Sequence, residues 1–534
     1  MDKYNCRKAV AFFIVLVLLL SMTCGCSNLV AAITPTIEPM ASSTTTYAAT
    51  DVSPLPTASH TPLEDAGPPS TTDSEATTAS GSDAGLATEV SAVRSSSKPS
   101  SVPKSTPKKS STASTAEIRK ITVTFYGDAK SSKGFTWYTD LSSKNSDLQV
   151  VEISTSPPDF STATTFTGTE YISHNSSNEY VHKAVAAGLK SNTAYYYRVG
   201  DTSLNMWSNL AVFITAPESE PFTFIDISDT QMANQAGAKV VSGIMSEALH
   251  IFGDARFIIN NGDVIDSKAE SQYNLLLGNA QSIFSNTTFM SAPGNHDIGN
   301  SCFIDHFNLA ARNANTSTGA YYSVDYSNAH FVVLNTNESS SEYAEFSKAQ
   351  IDWMKADIRA AKKAGATWII VVMHMGPYST AEHSLTANVI ATREKVAPLF
   401  SELGVDLVLQ GHDHVYARSK PISGGTAQPE TRKTENYSGN SIDYIVNPEG
   451  TIYITPGTAG VKYYYQNSSL SQDYLNLFDS ANGPTKGGAA SLKEETFIGF
   501  RIDGNKLTEI AYQAEKDNLQ NAHIIDQFGI LKDK

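Results

Sequence analysis

The sequence predicts an α/β domain preceded by a smaller all-β sandwich and a long unstructured N-terminal stretch. Beyond Glu218, apolar strands alternate with helical stretches, the pattern of a sheet covered by helices. Between about 117 and 216, short period-two runs are separated by Ser, Asn, Gly and Pro clusters, the pattern of a β sandwich. From about Ser27 to Ser114 the chain is Ser, Thr, Ala and Pro with almost no aromatics, so it buries too little apolar surface to offset its ordering entropy. A length of 534 residues suits two or three folded units plus linkers. The net charge of -15, from 39 Lys+Arg against 54 Asp+Glu, lacks the basic excess that drives counterion release, which argues against nucleic-acid binding. Of the cysteines, Cys6, Cys24 and Cys26 fall in the leader and only Cys302 in the folded part, so a disulfide framework is excluded.

Residues 1–26 read as a signal peptide: basic Lys3, Arg7 and Lys8, then the apolar run Ala9–Leu20, too short to span a bilayer comfortably. Gly25-Cys26 resembles the lipobox of bacterial lipoproteins, although Thr23 stands where a branched apolar residue is usual. The expectation is export to the bacterial cell surface, with lipidated Cys26 holding the chain on the outer face of the cytoplasmic membrane without spanning it. Simple cleavage and secretion is the alternative. The linker 27–116 is expected to be a flexible stalk with an r.m.s. span on the order of 50 Å.

Within 117–216 the strands are Ile121–Phe125, Phe135–Thr139, Leu148–Ile153 and Tyr180–Val185. Leu189, six residues before Tyr195, resembles the tyrosine corner of fibronectin type III domains, where the phenol bonds the upstream backbone. No chemistry is expected here; His174 and His182 read as surface or packing residues.

Over 219–520, Val241, Ile244, Met245, Ala248, Leu249 and Phe252 form one helical stripe and Ile351, Met354, Ile358 and Ala361 another, both core; residues 521–534 read as a tail. The residues at the strand ends are more informative. Phe222–Ile227 runs into Ser228-Asp229-Thr230-Gln231, Phe257–Asn260 into Asn261-Gly262-Asp263, and Phe289–Ala292 into Pro293-Gly294-Asn295-His296-Asp297. Trp368–Met373 meets His374, and Val405–Leu409 meets Gln410-Gly411-His412-Asp413-His414. Five times, donors appear just past the C-terminal end of an apolar strand, where α/β sheets collect ligands. The set Asp229, Gln231, Asp263, Asn295, His374, His412 and His414 is borderline to hard and thiolate-free, suited to Mn, Fe, Zn or Co. It suits two ions sharing a carboxylate at about 3.5–4 Å. Two carboxylates against two dications leave an excess of about +2, which would attract a phosphate dianion despite the acidic chain.

The order Asp229-x-Gln231, Gly262-Asp263-x-x-Asp266, Gly294-Asn295-His296-Asp297, His374 and Gly411-His412-x-His414 resembles the calcineurin-like metallophosphoesterase superfamily. With the fibronectin-like domain in front, residues 117–520 resemble its purple acid phosphatase branch. The resemblance implies a four-layer αββα sandwich with Asp229, Gln231, Asp263 and His414 on one metal and Asp263, Asn295, His374 and His412 on the other. His296 would protonate the leaving group, Asp297 would orient the His296 imidazole, and metal-bound hydroxide would attack phosphorus in line.

This sequence departs from the branch at Asp266, where purple enzymes have the tyrosine that binds ferric iron, so two divalent ions (Fe, Mn or Zn) are expected instead. It departs also at Gln231, whose amide is a weaker donor than imidazole. His383 stands where the branch places substrate-contacting histidines, with a surface loop as the other reading. Arg418 reads as an ion-pair partner, His306 and His330 as packing histidines, Cys302 as a lone thiol without catalytic role, and Gly457–Gly460 as a turn; Tyr463-Tyr464-Tyr465 either rim a pocket or pack. The implied function is phosphomonoester hydrolysis. A phosphodiesterase or nucleotide hydrolase on the same site, and an inactive surface-binding protein, are the alternatives.

Overall fold

The computed structural model describes residues 117–154, 157–299, 302–483 and 494–533. The signal peptide with Cys26 and the linker 27–116 lie outside the described residues. Among the described residues, no helix is long and apolar enough to cross a membrane.

The N-terminal region is built from β1 (Arg119–Thr124), β2 (Lys133–Asp140), β3 (Asp147–Glu152), β4 (Thr164–Thr167), β5 (Thr169–Ile172), β6 (Glu179–Ala186), β7 (Ala194–Asp201), β8 (Met206–Trp207) and β9 (Ala211–Ile214). Strands β1-β2-β6-β5 face a second layer, β4-β3-β7-β8 with β9 on β7. Period-two alternation sends Val123, Phe135, Trp137, Leu148, Tyr197 and Phe213 into the core between them. The Tyr195 phenol accepts the Lys190 N–H at 2.9 Å, forming the tyrosine corner. His182 packs, buried and stacked on Trp137, with Thr139 and Ser146 on its ring nitrogens.

The larger region contributes β10 (Phe222–Ile227), β11 (Ala255–Asn260), β12 (Thr288–Ser291), β13 (Asn313–Asn315), β14 (Gly319–Tyr326), β15 (Ala329–Val333), β16 (Trp368–Met375), β17 (Leu407–Gly411) and β18 (Tyr416–Ser419). It continues with β19 (Ile422–Ser423), β20 (Thr426–Ala427), β21 (Arg432–Tyr437), β22 (Asn440–Val446), β23 (Ile452–Thr455), β24 (Phe478–Asn482), β25 (Glu494–Asp503), β26 (Lys506–Glu515) and β27 (Asn518–Leu531). Alternation along the strands makes four layers. Phe222 and Phe224 of β10 and Ile370 and Val372 of β16 fill the core between two sheets. Ile225 and Ile227 face the helices Gln235–Ile251 and Glu270–Asn286, while Ile369 and Val371 face the helix Lys348–Ala364. The two stripes read from sequence are the buried faces of these helices.

The N-terminal sandwich is not cut off from the larger region, because β1 pairs in parallel with β12 and one sheet runs β21-β22-β27-β26-β25-β10-β11-β12-β1-β2-β6-β5. Side chains reinforce the joint: Gln281 bonds both the N–H and the carbonyl of Ile121, the Tyr197 phenol reaches the Ser285 carbonyl, and buried Lys120 lies between Glu179 and Glu270. Nor is 521–534 a tail. The apolar run Phe528-Gly529-Ile530-Leu531 makes it most of β27, paired with both β26 and β22.

Arg418 pairs with Asp526 at 2.7 Å and Asp479 at 3.1 Å. His306 is buried between Tyr138 and Tyr273 and bonds Glu270. His330, also buried, ties β14 and the helix Lys348–Ala364 to β15 through Asp325 at 2.7 Å and Asp357 at 3.0 Å. Burial alone would lower its pKa, but the two carboxylates outweigh burial and raise it to about 9. A raised folded pKa stabilises fully below the unfolded value of about 6.5 and loses that contribution as pH rises. The destabilisation caused by His330→Ala, measured as the shift in urea midpoint, is therefore expected to be largest in mild acid and to shrink as pH passes about 9.

Candidate metal centre

The strands β10, β11 and β12 of one sheet and β16 and β17 of the other deliver their C-terminal ends to one place, and the loops there turn sharply. Asp229, Asp263 and His412 all have left-handed backbone, with φ of 53°, 51° and 73°. Such conformations cost non-glycine residues energy and persist only where the surroundings hold them. Here Asp229 N–H bonds the Gly262 carbonyl, Asn261 N–H bonds the Ile227 carbonyl, and Ala459 N–H bonds the Ser228 carbonyl. Gly294 is required by contact, since a Cβ on it would stand 2.1 Å from Asp263 Oδ1.

Asp263 is central. Its Oδ1 accepts the His296 backbone N–H at 2.8 Å, and its Oδ2 accepts the Gln231 amide at 2.9 Å and faces His374 Nε2 at 3.3 Å. Asp229 Oδ2 takes the Ser228 hydroxyl at 2.6 Å and the His412 N–H at 3.1 Å, while Oδ1 faces His414 Nε2 at 3.1 Å. Asp229, Asp263 and His374 place ligand atoms within 4.8 Å of one another. His374 and His414 each turn Nδ1 to a main-chain carbonyl, of Asn261 and Lys462, which fixes Nδ1–H and aims Nε2 at the carboxylates. His374 Nε2 also meets the Asn295 amide oxygen at 3.1 Å.

Carboxylate, amide and imidazole groups therefore converge on one buried space. Gln231 Oε1 and Asp229 Oδ1 are buried and have no hydrogen-bond donor. Cations between these groups satisfy all of them, so the residues fit the metals their chemistry implies. The same carboxylates also attract protons. Burial would lower His374, but Asp263 and Asp229 outweigh it and raise it to about 9. Burial would raise Asp229, yet His414 and His374 hold it well below the usual carboxylate range. His412, edge-on to His374 at 5.1 Å, is pushed far down by burial and then by the neighbouring imidazoles, so it is neutral with a lone pair to give.

The role given to Asp297 is corrected. Its carboxylate accepts the backbone N–H groups of Gly294 at 3.0 Å, Val264 at 3.1 Å and Ile265 at 3.3 Å, stitching the β11 loop to the β12 loop. The neighbouring His296 turns to the rim of the centre, with Nδ1 on the Asp266 carbonyl and Nε2 3.9 Å from Asp263 Oδ2. Burial and then Asp263 push Asp297 up to about 7. Asp266 pairs with Lys462 at 3.6 Å.

His383 is at the site: its ring stacks on His412 at 4.0 Å, and its N–H bonds Asp413. Tyr464 stacks on His414 at 4.1 Å and meets His383 edge-on, so of the three tyrosines it is Tyr464 that walls the centre. Lys462, which the sequence motifs do not include, holds His414 with its carbonyl and brings its ammonium to 3.4 Å from His296 Nε2. A signal for it was present: β23 is a sixth strand, and the loop after it, Gly457–Gly460, backs the Asp229 turn and leads to Lys462.

Residues 223–416 match the calcineurin-like phosphoesterase family, and the chain carries a metallophosphoesterase domain of that superfamily. Residues 118–215 match the purple acid phosphatase N-terminal domain. The chain is similar to purple acid phosphatase 21 of Arabidopsis thaliana (27% identity, 51% of this chain, 60% of the relative) and acid phosphatase type 7 of Danio rerio (26%, 53% and 65%). It thus spans less than two thirds of their length. A purple acid phosphatase from yellow lupin (Lupinus luteus) seeds shares the fold, with TM-score 0.61 at 16% identity over 78% of this chain and 74% of that one.

If Asp297 braces the loops, Asp297→Asn, which keeps one acceptor oxygen, should weaken metal retention by roughly 10–100-fold, as changes behind ligands do. The pH profile of the remaining activity should keep its shape. Metal content after dialysis and a pH–rate series check this.

Proposed function

We propose that the chain is an exported, lipid-anchored phosphatase that hydrolyses phosphomonoesters with two divalent ions, Mn, Fe or Zn. The observation that carries the reading is the convergence of buried carboxylate, amide and imidazole groups around Asp263. Asp229, Gln231, Asp263 and His414 would hold one ion, and Asp263, Asn295, His374 and His412 the other. When bound, the ions lower the pKa of water and neutralise phosphoryl oxygens.

The chain's own residues handle the leaving group. The Asp266 carbonyl holds the His296 Nδ1 proton, so Nε2 is the position that exchanges, and Lys462 stands 3.4 Å from it with a proton to share. A departing oxygen placed there meets that shared proton, with general-acid assistance of roughly 10²–10⁴-fold. Asp266 keeps Lys462 in reach at 3.6 Å. His383 and Tyr464 wall the opening and orient the ester.

The test compares an alkyl and an aryl phosphate monoester with the matching diesters, using the full chain. Asp263→Asn should lose turnover and metal together. His296→Ala should keep its metal and lose roughly 10²–10⁴-fold on the alkyl monoester but less on the aryl ester, whose leaving group needs no proton. Lys462→Met should shift in the same direction by less. Full alkyl turnover by His296→Ala would remove the proton-donor role, and diester preference would make the chain a phosphodiesterase. Failure to take up Mn, Fe or Zn would overturn the reading.

A further inference from the structure

A second group of metal-capable side chains lies where the N-terminal sandwich meets the catalytic region. The short helix Phe303–His306 begins at Cys302, so Cys302 and Asp305 are three residues apart and project from the same side of one turn. His174, from the loop after β5, comes down on them, and ligand atoms of His174, Cys302 and Asp305 lie within 4.8 Å of one another. Asp305 is fully buried, and its carboxylate gathers donors: His174 Nδ1 at 2.7 Å, His174 N–H at 2.9 Å, the Tyr171 phenol at 3.0 Å and the Ser173 hydroxyl at 3.3 Å. Nearby Lys183 gives its ammonium to the carbonyls of Ile304 and Phe307. A buried carboxylate thus faces a thiol and an imidazole.

Thiolate, imidazole and carboxylate from three residues are a borderline donor set that suits Zn or Co in tetrahedral geometry. The dinuclear centre, which has no sulfur, is a different environment. We propose that His174, Cys302 and Asp305 bind a zinc-type ion that clasps the two regions together. The fourth position is open to water beside His174, whose side chain is 48% exposed. On binding, sulfur, imidazole nitrogen and carboxylate oxygen each bond the metal, the proton that His174 Nδ1 shares with Asp305 moves to Nε2, and the thiol proton leaves to solvent. Without the cation the thiol keeps that proton, since burial and the Asp305 and Glu270 carboxylates push it up to about 12.

Cobalt distinguishes this site from the catalytic one, because only a thiolate gives Co(II) a near-ultraviolet charge-transfer band. The full chain loaded with Co(II) is expected to show the band, and Cys302→Ser to lose it and bind one cobalt fewer per chain. The two cobalt ions of the dinuclear centre should remain bound in both. Cys6, Cys24 and Cys26 are common to both proteins and cancel in the difference. A second measurement needs no variant: zinc added to the cobalt-loaded wild-type chain should displace cobalt from the thiolate and bleach the near-ultraviolet band. Equal near-ultraviolet spectra, or a band that excess zinc leaves unchanged, would overturn the proposal. A charge-transfer band with one cobalt bound per chain would support it while counting against the dinuclear reading.

Discussion

The site depends on the Asp263 carboxylate. One oxygen is anchored by the His296 backbone N–H, and the other meets the Gln231 amide and the His374 imidazole, so this side chain ties together loops from β10, β11, β12 and β16. Buried anionic oxygen is expensive unless its remaining lone pairs are met. The protein meets some with N–H donors and turns imidazoles toward the rest. The result is a donor arrangement that cations fit.

Holding that arrangement takes backbone strain, and the strain is supported from outside. Left-handed turns at Asp229, Asp263 and His412 swing side chains into a space that extended strands would overshoot. The bracing comes from main-chain bonds between neighbouring loops, from Asp297 accepting three N–H groups, and from the Thr458 hydroxyl on the Asp229 carbonyl. The loops therefore behave as one body, and a change in any of them is felt at the ligands. Lys462 shows this directly, since its carbonyl sets one imidazole while its ammonium approaches another.

Much of this was legible in sequence because each donor comes just after an apolar strand, and strand ends in an α/β sheet lie together whatever the connections between them. The layers were legible for the same reason, as alternation along β10 and β16 sorts side chains to opposite faces. Direction within a turn was not. His296 and Asp297 are neighbours with different environments, and only the loop conformation sends one to the rim of the centre and the other beneath the loops. Lys462 escaped because ammonium is no metal ligand. The pairing of β1 with β12 left no trace, because partner choice between two apolar strands has no local signature, and the polar-rich stretch before Phe528 hid the strand β27.

The sheet that runs through both regions has a consequence for the surface the protein presents during folding and handling. β12 is four residues long and buried throughout, and β1 covers its outer side. Removing residues 117–216 would leave that side as an uncapped ribbon edge beside Phe289 and Met290, the kind of exposed template on which chains stack into aggregates. The sandwich in front of the catalytic region therefore serves as a guard for the sheet behind it, and colloidal behaviour, rather than catalysis alone, would keep the two inseparable.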